Sequence, residues 1–240
     1  MLIGACQTPD ILGDVDAAVE VILQFAAQGA EFDADLLLFP ERFLQGYLAD
    51  ASRVHRHAID LASSQLAAVL VRLAQITQML VLGMIERSGD AYYNTALIIA
   101  AGRVLGGYRK TFLTGGESVF TASDQYPTFD WHGVRFGINI CYDAQFPQAA
   151  AGVAAGGADL LLLPAQNMMP RDKALKWQHE HNRIRTRRVL ETGMWLASAD
   201  VTGERPDCRF PKSCARMSEV LCTGVSGDGR RRPSSCGAGW

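Results

Sequence analysis

Long apolar runs are missing from this 240-residue chain. No stretch of about 18 consecutive apolar residues occurs, the length a helix needs to cross a bilayer, so no membrane span is expected. The opening residues MLIGACQTPD lack the basic flank and apolar length of a secretory leader, and a cytoplasmic location is the expectation. Surplus charge is lacking too: 23 Lys and Arg against 25 Asp and Glu leave a formal charge of −2, which argues against a general nucleic-acid binder. Four of the six cysteines (Cys208, Cys214, Cys222, Cys236) crowd the last 35 residues, yet none of them is spaced as a zinc-binding pair. Internal repeats of fixed period and interior linkers are absent as well.

What is present alternates. MLIGACQ reads as a first strand. Val15, Ala18, Val19, Ile22, Phe25 and Ala26 follow at helical spacing behind Asp14 as N-cap, stopping at Gly29. DLLLF reads as a strand ending at Pro40, and Leu66, Val69, Leu70, Leu73 and Ile76 mark a helix after Ser63 and Ser64. LVLGMIE, NTALIIA and RVLGGYR read as three consecutive strands. The second half continues with strand VRFGINI, a helix over 147–156, strand DLLLLP, a helix over 171–191 and strand MWLASAD. Continuous apolar runs such as Leu160–Leu163 suit strands covered on both faces, and the alternation predicts a layered α/β domain.

Three polar residues stand just beyond strands: Glu41 after LLLFP, Lys110 after LGGYR and Cys141 after GINI. Each is expected where a parallel strand runs out, the edge at which ligands gather in α/β sheets. Alone, each has an ordinary explanation, as a surface acid, a solvated cation and a small buried hydrophobe. Together they fit one chemistry. A thiol is mostly protonated at neutral pH and needs a base or a cation to become a nucleophile; Glu41 could take its proton, and Lys110 could hold a thiolate or an oxyanion.

These segments resemble the nitrilase superfamily, the carbon-nitrogen hydrolases. LLLFPERFLQGY is similar to the segment around its catalytic glutamate, GGYRKTFL to that around its lysine, and GINICYDAQFP to its nucleophile segment, in the same order and about 70 and 31 residues apart. The resemblance implies a four-layer α-β-β-α sandwich, with Glu41 as general base, Lys110 as transition-state stabiliser, Cys141 as nucleophile and the backbone N–H of Tyr142 in the oxyanion site. Glu117 resembles a second glutamate of many members, with a solvated loop acid as the other reading. Cys-Tyr-Asp is more usual in the amidase and carbamoyl-hydrolase branches than in enzymes acting on nitriles, so a small amide or N-carbamoyl substrate is expected, with a nitrile as the alternative. Neither metal nor organic cofactor is implied, and a homodimer is. Thr192 and Asp200 stand where the family often has Asn, and Gln148 replaces a frequent Glu. His55, His57, His179 and His181 carry no local signature of a cysteine–histidine site, and RIRTRR reads as a solvated helix face.

The resemblance covers residues 1–204, the expected hydrolase domain. Residues 205–240 form an atypical Arg/Ser/Gly/Cys-rich tail, expected to be disordered or to follow a shift of reading frame near 204–206, and the sandwich is expected to have an incomplete C-terminal end. Residues 1–204 carry −6 and the remainder +4. From Pro206 onward only eight apolar residues other than cysteine occur, too few to offset the entropy of ordering the segment. An inactive chain that serves only in binding or assembly is the rival expectation.

Overall fold

The computed structural model describes residues 1–48, 50–170, 173–174, 177, 179–205, 208–209, 223–225 and 231–233. In chain order its main elements are β1 (Ile3–Ala5), β2 (Thr8–Pro9), α1 (Val15–Glu31), β3 (Leu36–Leu38), α2 (Ala51–His57), β4 (Ile59–Asp60), α3 (Ser64–Leu73), β5 (Met79–Ser88), β6 (Ala91–Ala100), β7 (Arg103–Arg109), β8 (Thr128–Trp131), β9 (Val134–Ile138), α4 (Pro147–Ala155), β10 (Leu160–Pro164), α5 (Glu180–Thr192), β11 (Trp195–Ala199) and β12 (Val201–Thr202).

Two sheets result. The first runs β1-β3-β5-β6-β7, with β4 pairing alongside β5, and the second runs β11-β10-β9-β8. Period-two alternation sorts the leucine runs between layers. Leu36 and Leu38 face Leu160, Leu162, Phe136 and Ile138 in the core between the sheets. Leu37 turns outward onto Val19, Ile22 and Leu66 of α1 and α3, and Leu161 and Leu163 turn outward onto Val153 of α4 and Val189 of α5. The order of layers is therefore helices, sheet, sheet, helices: the expected α-β-β-α sandwich.

Local signals act as read. Asp14 caps α1 by accepting from Ala17 N at 2.9 Å, and Ser63 caps α3 by accepting from Leu66 N at 3.2 Å. Helix α1 continues past Gly29 to Glu31. Of the helix expected over 171–191, Glu180–Thr192 is observed, and the stretch before it falls partly outside the described residues. Most of the 205–240 tail lies outside them as well, so neither the frame-shift nor the disorder expectation meets an observation. No helix among the described residues is long and apolar enough to cross a membrane.

Candidate active site

Glu41 is placed by a turn that lies directly on β5. Leu44 N donates to the Gly83 carbonyl at 3.0 Å, and the Gln45 side chain spans Ile85, accepting from its N–H and donating to its C=O, both at 2.9 Å. The fit leaves no room for a side chain at Gly83, where a Cβ would stand 2.2 Å from the Pro40 carbonyl and 2.4 Å from Arg42 N. Glu41 N donates across to Ala165 O of the other sheet at 3.2 Å.

Lys110 arrives differently from the expectation. The strand before it, β7, is an antiparallel edge strand rather than a parallel one. Because β6 is antiparallel to both β5 and β7, β7 runs in the direction of β5 and β3 and ends on the same side. Lys110 N donates to Asn94 O at 2.9 Å, and its Nζ reaches Glu41 Oε1 at 2.7 Å.

Glu117 is no solvated acid. A 3₁₀ turn over Gly115–Glu117 points it inward, where it is 1% exposed and meets Lys110 Nζ at 3.0 Å, Thr114 N at 2.9 Å and Arg42 Nη2 at 3.3 Å. Asn94 Nδ2 bridges the two acids, 2.7 Å from Glu41 Oε1 and 2.9 Å from Glu117 Oε1. Two carboxylates and two cations are thus buried together, in the low dielectric where unpaired charge is costly. Burial alone would lower the Lys110 pKa, but the Glu41 carboxylate, with Cys141 and Glu117, holds it above the ordinary value, so it remains an ammonium. Burial would raise Glu117, but Lys110 and Arg42 hold it below the usual range. Among the described residues Glu41 Oε2 has no hydrogen-bond partner.

Cys141 begins a 3₁₀ turn, Cys141–Gln145, just after β9, and takes φ +45°. Asp143 pins the turn: its Oδ2 accepts from Ile140 N and Tyr108 OH, both at 2.8 Å, and its Oδ1 from Phe112 N at 2.8 Å and Thr111 Oγ1 at 3.1 Å. Residues on both sides of Lys110 are therefore tied to the cysteine turn by one buried carboxylate. The Cys141 and Tyr142 amides precede the turn's first bond, Asp143 N to Ile140 O, as the leading N–H groups of any helix do. Burial and the Glu41 carboxylate push the thiol pKa well up, with Lys110 opposing them.

Cys141 opens onto a cavity of about 390 Å³ whose wall includes Tyr47, Tyr142, Asn167, Trp177, His181 and Arg185. Its Sγ lies 3.8 Å from Asn167 Oδ1 and 4.0 Å from Gln166 O; these neighbours of the thiol are oxygens, not an imidazole. His55 instead stacks on Tyr92, with ring centroids 4.7 Å apart. His181 shares the cavity wall, and burial with Arg185 beside it lowers its pKa to about 4, so it stands there neutral. The RIRTRR face is solvated only in part, since Arg188 is buried beside Glu191 and Arg185 lines the cavity. Gln148 is exposed.

Sequence reasoning missed Asn94, Arg42, Asn167 and the pinning role of Asp143. Asn94 offered a signal, as a polar residue opening the apolar run NTALIIA; Arg42 offered none beyond following Glu41.

A four-layer α/β sandwich that gathers a buried acid, a buried ammonium and a partly exposed thiol at strand ends has the architecture of a hydrolase. The chain belongs to the carbon-nitrogen hydrolase family, whose model matches residues 2–221. It is 37% identical over 219 residues to a hydrolase in the pqqF 5′ region of Pseudomonas protegens, covering 88% of this chain and 73% of that protein. It is 34% identical over 139 residues to an (R)-stereoselective amidase of Pseudomonas sp., covering 58% of this chain and half of that one. In structure it is similar to a mutant amidase of Nesterenkonia sp. AN1 showing Michael addition of acrylamide at the active site cysteine, with a TM-score of 0.74 and 25% identity over 95% of this chain and 86% of that one.

Proposed function

We propose that the chain hydrolyses the carbon–nitrogen bond of a small amide or N-carbamoyl compound through a Cys141 thioester. The observation that carries this reading is the 2.7 Å contact of Lys110 Nζ with Glu41 Oε1 while Glu41 Oε2 has no hydrogen-bond partner among the described residues. One carboxylate oxygen is anchored on a permanent cation and the other is left to take a proton, as a general base requires.

In the proposed reaction Glu41 accepts the Cys141 proton as Sγ attacks the carbonyl carbon. Lys110 and the Tyr142 N–H hold the oxyanion, in a water-poor setting where such donors count most. Collapse of the tetrahedral species breaks the C–N bond, and Glu41 returns the proton to the departing nitrogen. Water, deprotonated by Glu41, then cleaves the thioester and frees the acid and the thiol. The raised thiol pKa fits a cysteine that loses its proton only during attack. Amidases among the relatives and structural neighbours support an amide, nitrilases among the relatives make a nitrile the alternative, and every residue used lies before residue 204.

The test is ammonia release from a panel of primary amides, N-carbamoyl amines and nitriles. Turnover of amides or carbamoyl compounds, lost in Cys141→Ala and reduced about 10²–10³-fold in Lys110→Met, is the expected result. Activity surviving Cys141→Ala would refute the mechanism. Turnover of nitriles alone would reassign the substrate, and a folded chain inert to the whole panel would favour the binding role.

A further inference from the structure

Asp200 is buried behind Asn167. Its Oδ1 accepts two backbone N–H groups, Asn167 N at 3.0 Å and Val201 N at 2.9 Å. Its Oδ2 accepts from Asn167 Nδ2 at 2.5 Å, with Arg185 Nη2 4.0 Å away. Burial raises the Asp200 pKa, but Arg185 and the N–H donors of Asn167 and Val201 oppose that shift, and among the described residues its hydrogen-bond partners are all donors. An acceptor-only carboxylate dictates which end of the Asn167 amide faces it: Nδ2 turns to Asp200, and Oδ1 is left facing Cys141 Sγ at 3.8 Å. The Gln166 carbonyl stands 4.0 Å from the same sulfur, and this segment is held by Met168 N donating to Gln166 Oε1 at 3.0 Å. Two acceptors thus flank one side of the thiol, whereas Lys110 and the turn amides supply donors.

We propose that Asn167 Oδ1 and the Gln166 carbonyl form an acceptor subsite for the N–H of the substrate's reacting amide, and that Asp200 is the positioning residue that keeps Asn167 turned to serve it. The proposal rests on the amide reading above and adds to it a discrimination. An amide nitrogen brings hydrogens to the subsite; the alkoxy oxygen of an ester brings none. The choice of Asp rather than Asn at 200 then has a chemical meaning. In Asp200→Asn the two backbone donors still require an oxygen, so the new NH2 must face Asn167, whose amide turns over and presents its own NH2 to the sulfur. The subsite changes from acceptor to donor with almost no change in shape.

The experiment compares kcat/KM for each panel amide that is turned over with that for the methyl ester of the same acid, in the parent, Asp200→Asn, Asn167→Ala and the double variant. The amide-to-ester ratio should fall about tenfold or more in each single variant, the scale of one hydrogen bond lost or reversed. The double variant should fall no further than Asn167→Ala alone, because Asp200 acts through Asn167. A general loss of folding would depress both substrates alike, and if Asp200→Asn does not fold, the ratio in Asn167→Ala still decides. An unmoved ratio in an active enzyme, or losses that add in the double variant, overturns this proposal alone. No ammonia release from any amide or N-carbamoyl member of the panel overturns the amide reading and this proposal with it.

Discussion

Glu117 offers the sharpest trial of the buried charge cluster. Replacing it with Ala strips one carboxylate from contact with Lys110, Arg42, Asn94 and Thr114 N. Glu41 remains the carboxylate against two buried cations, and Arg42 keeps its hydrogen bond to Leu48 O and its stacking on the Tyr47 ring but loses its carboxylate partner. Removing one partner of a buried ion pair costs about 3–5 kcal/mol. In a chain of this size each kcal/mol moves Tm by about 2–4 °C, so Glu117→Ala should lower Tm by roughly 6–20 °C. Glu117→Gln keeps the volume and should lose less, but it takes the cluster from neutral to a net positive charge. That change favours the thiolate, so the Cys141 pKa must fall and alkylation by iodoacetamide at neutral pH must speed up. Thermal denaturation and the pH profile of alkylation, read by mass at Cys141, measure both effects. A Tm within about 2 °C of the parent in the Ala variant, or slower alkylation in the Gln variant, would refute the account of the cluster.

Two further outcomes follow from the same geometry. Gly83→Ala drives a methyl group into the Pro40 carbonyl and Arg42 N; it should cost about 1–3 kcal/mol by overpacking and about 10²-fold in kcat by moving Glu41, and an unchanged kcat would show that the turn has slack. The parent thiol, held up by burial and Glu41, should show alkylation that keeps rising through pH 9 with no plateau near the ordinary thiol value of about 8.5; a plateau at or below that value would refute the raised pKa.

The sandwich was legible because each signal was local and agreed with its neighbours. Leucine runs gave strands covered on both faces, and Asp14 and Ser63 gave caps that formed as read. Helix α2 was harder, because its seven residues bury only Val54 and present no stripe. In the site, Glu41, Lys110 and Cys141 stood out by following strands, and their order and spacing matched a family. Lys110 nevertheless follows an antiparallel edge strand, since strand direction is settled by pairing partners that the local sequence does not name. The fate of Glu117 depended on a 3₁₀ turn too short to leave a periodic trace. Asn94, Asn167 and Asp200 were illegible as a group because their roles arise from contacts spanning 23 to 53 residues.

The backbone of Cys141 has a bearing on how this position behaves under mutation. At φ +45° a residue with a Cβ carries roughly 1–2 kcal/mol that glycine does not, and the four bonds to Asp143 hold the turn in that shape whatever side chain stands there. Random substitution to glycine would therefore relax the chain locally while removing the one thiol among the described residues of the cavity wall. Backbone conformation alone therefore favours glycine over cysteine at this position, so the shape of the turn does not account for the residue that stands there.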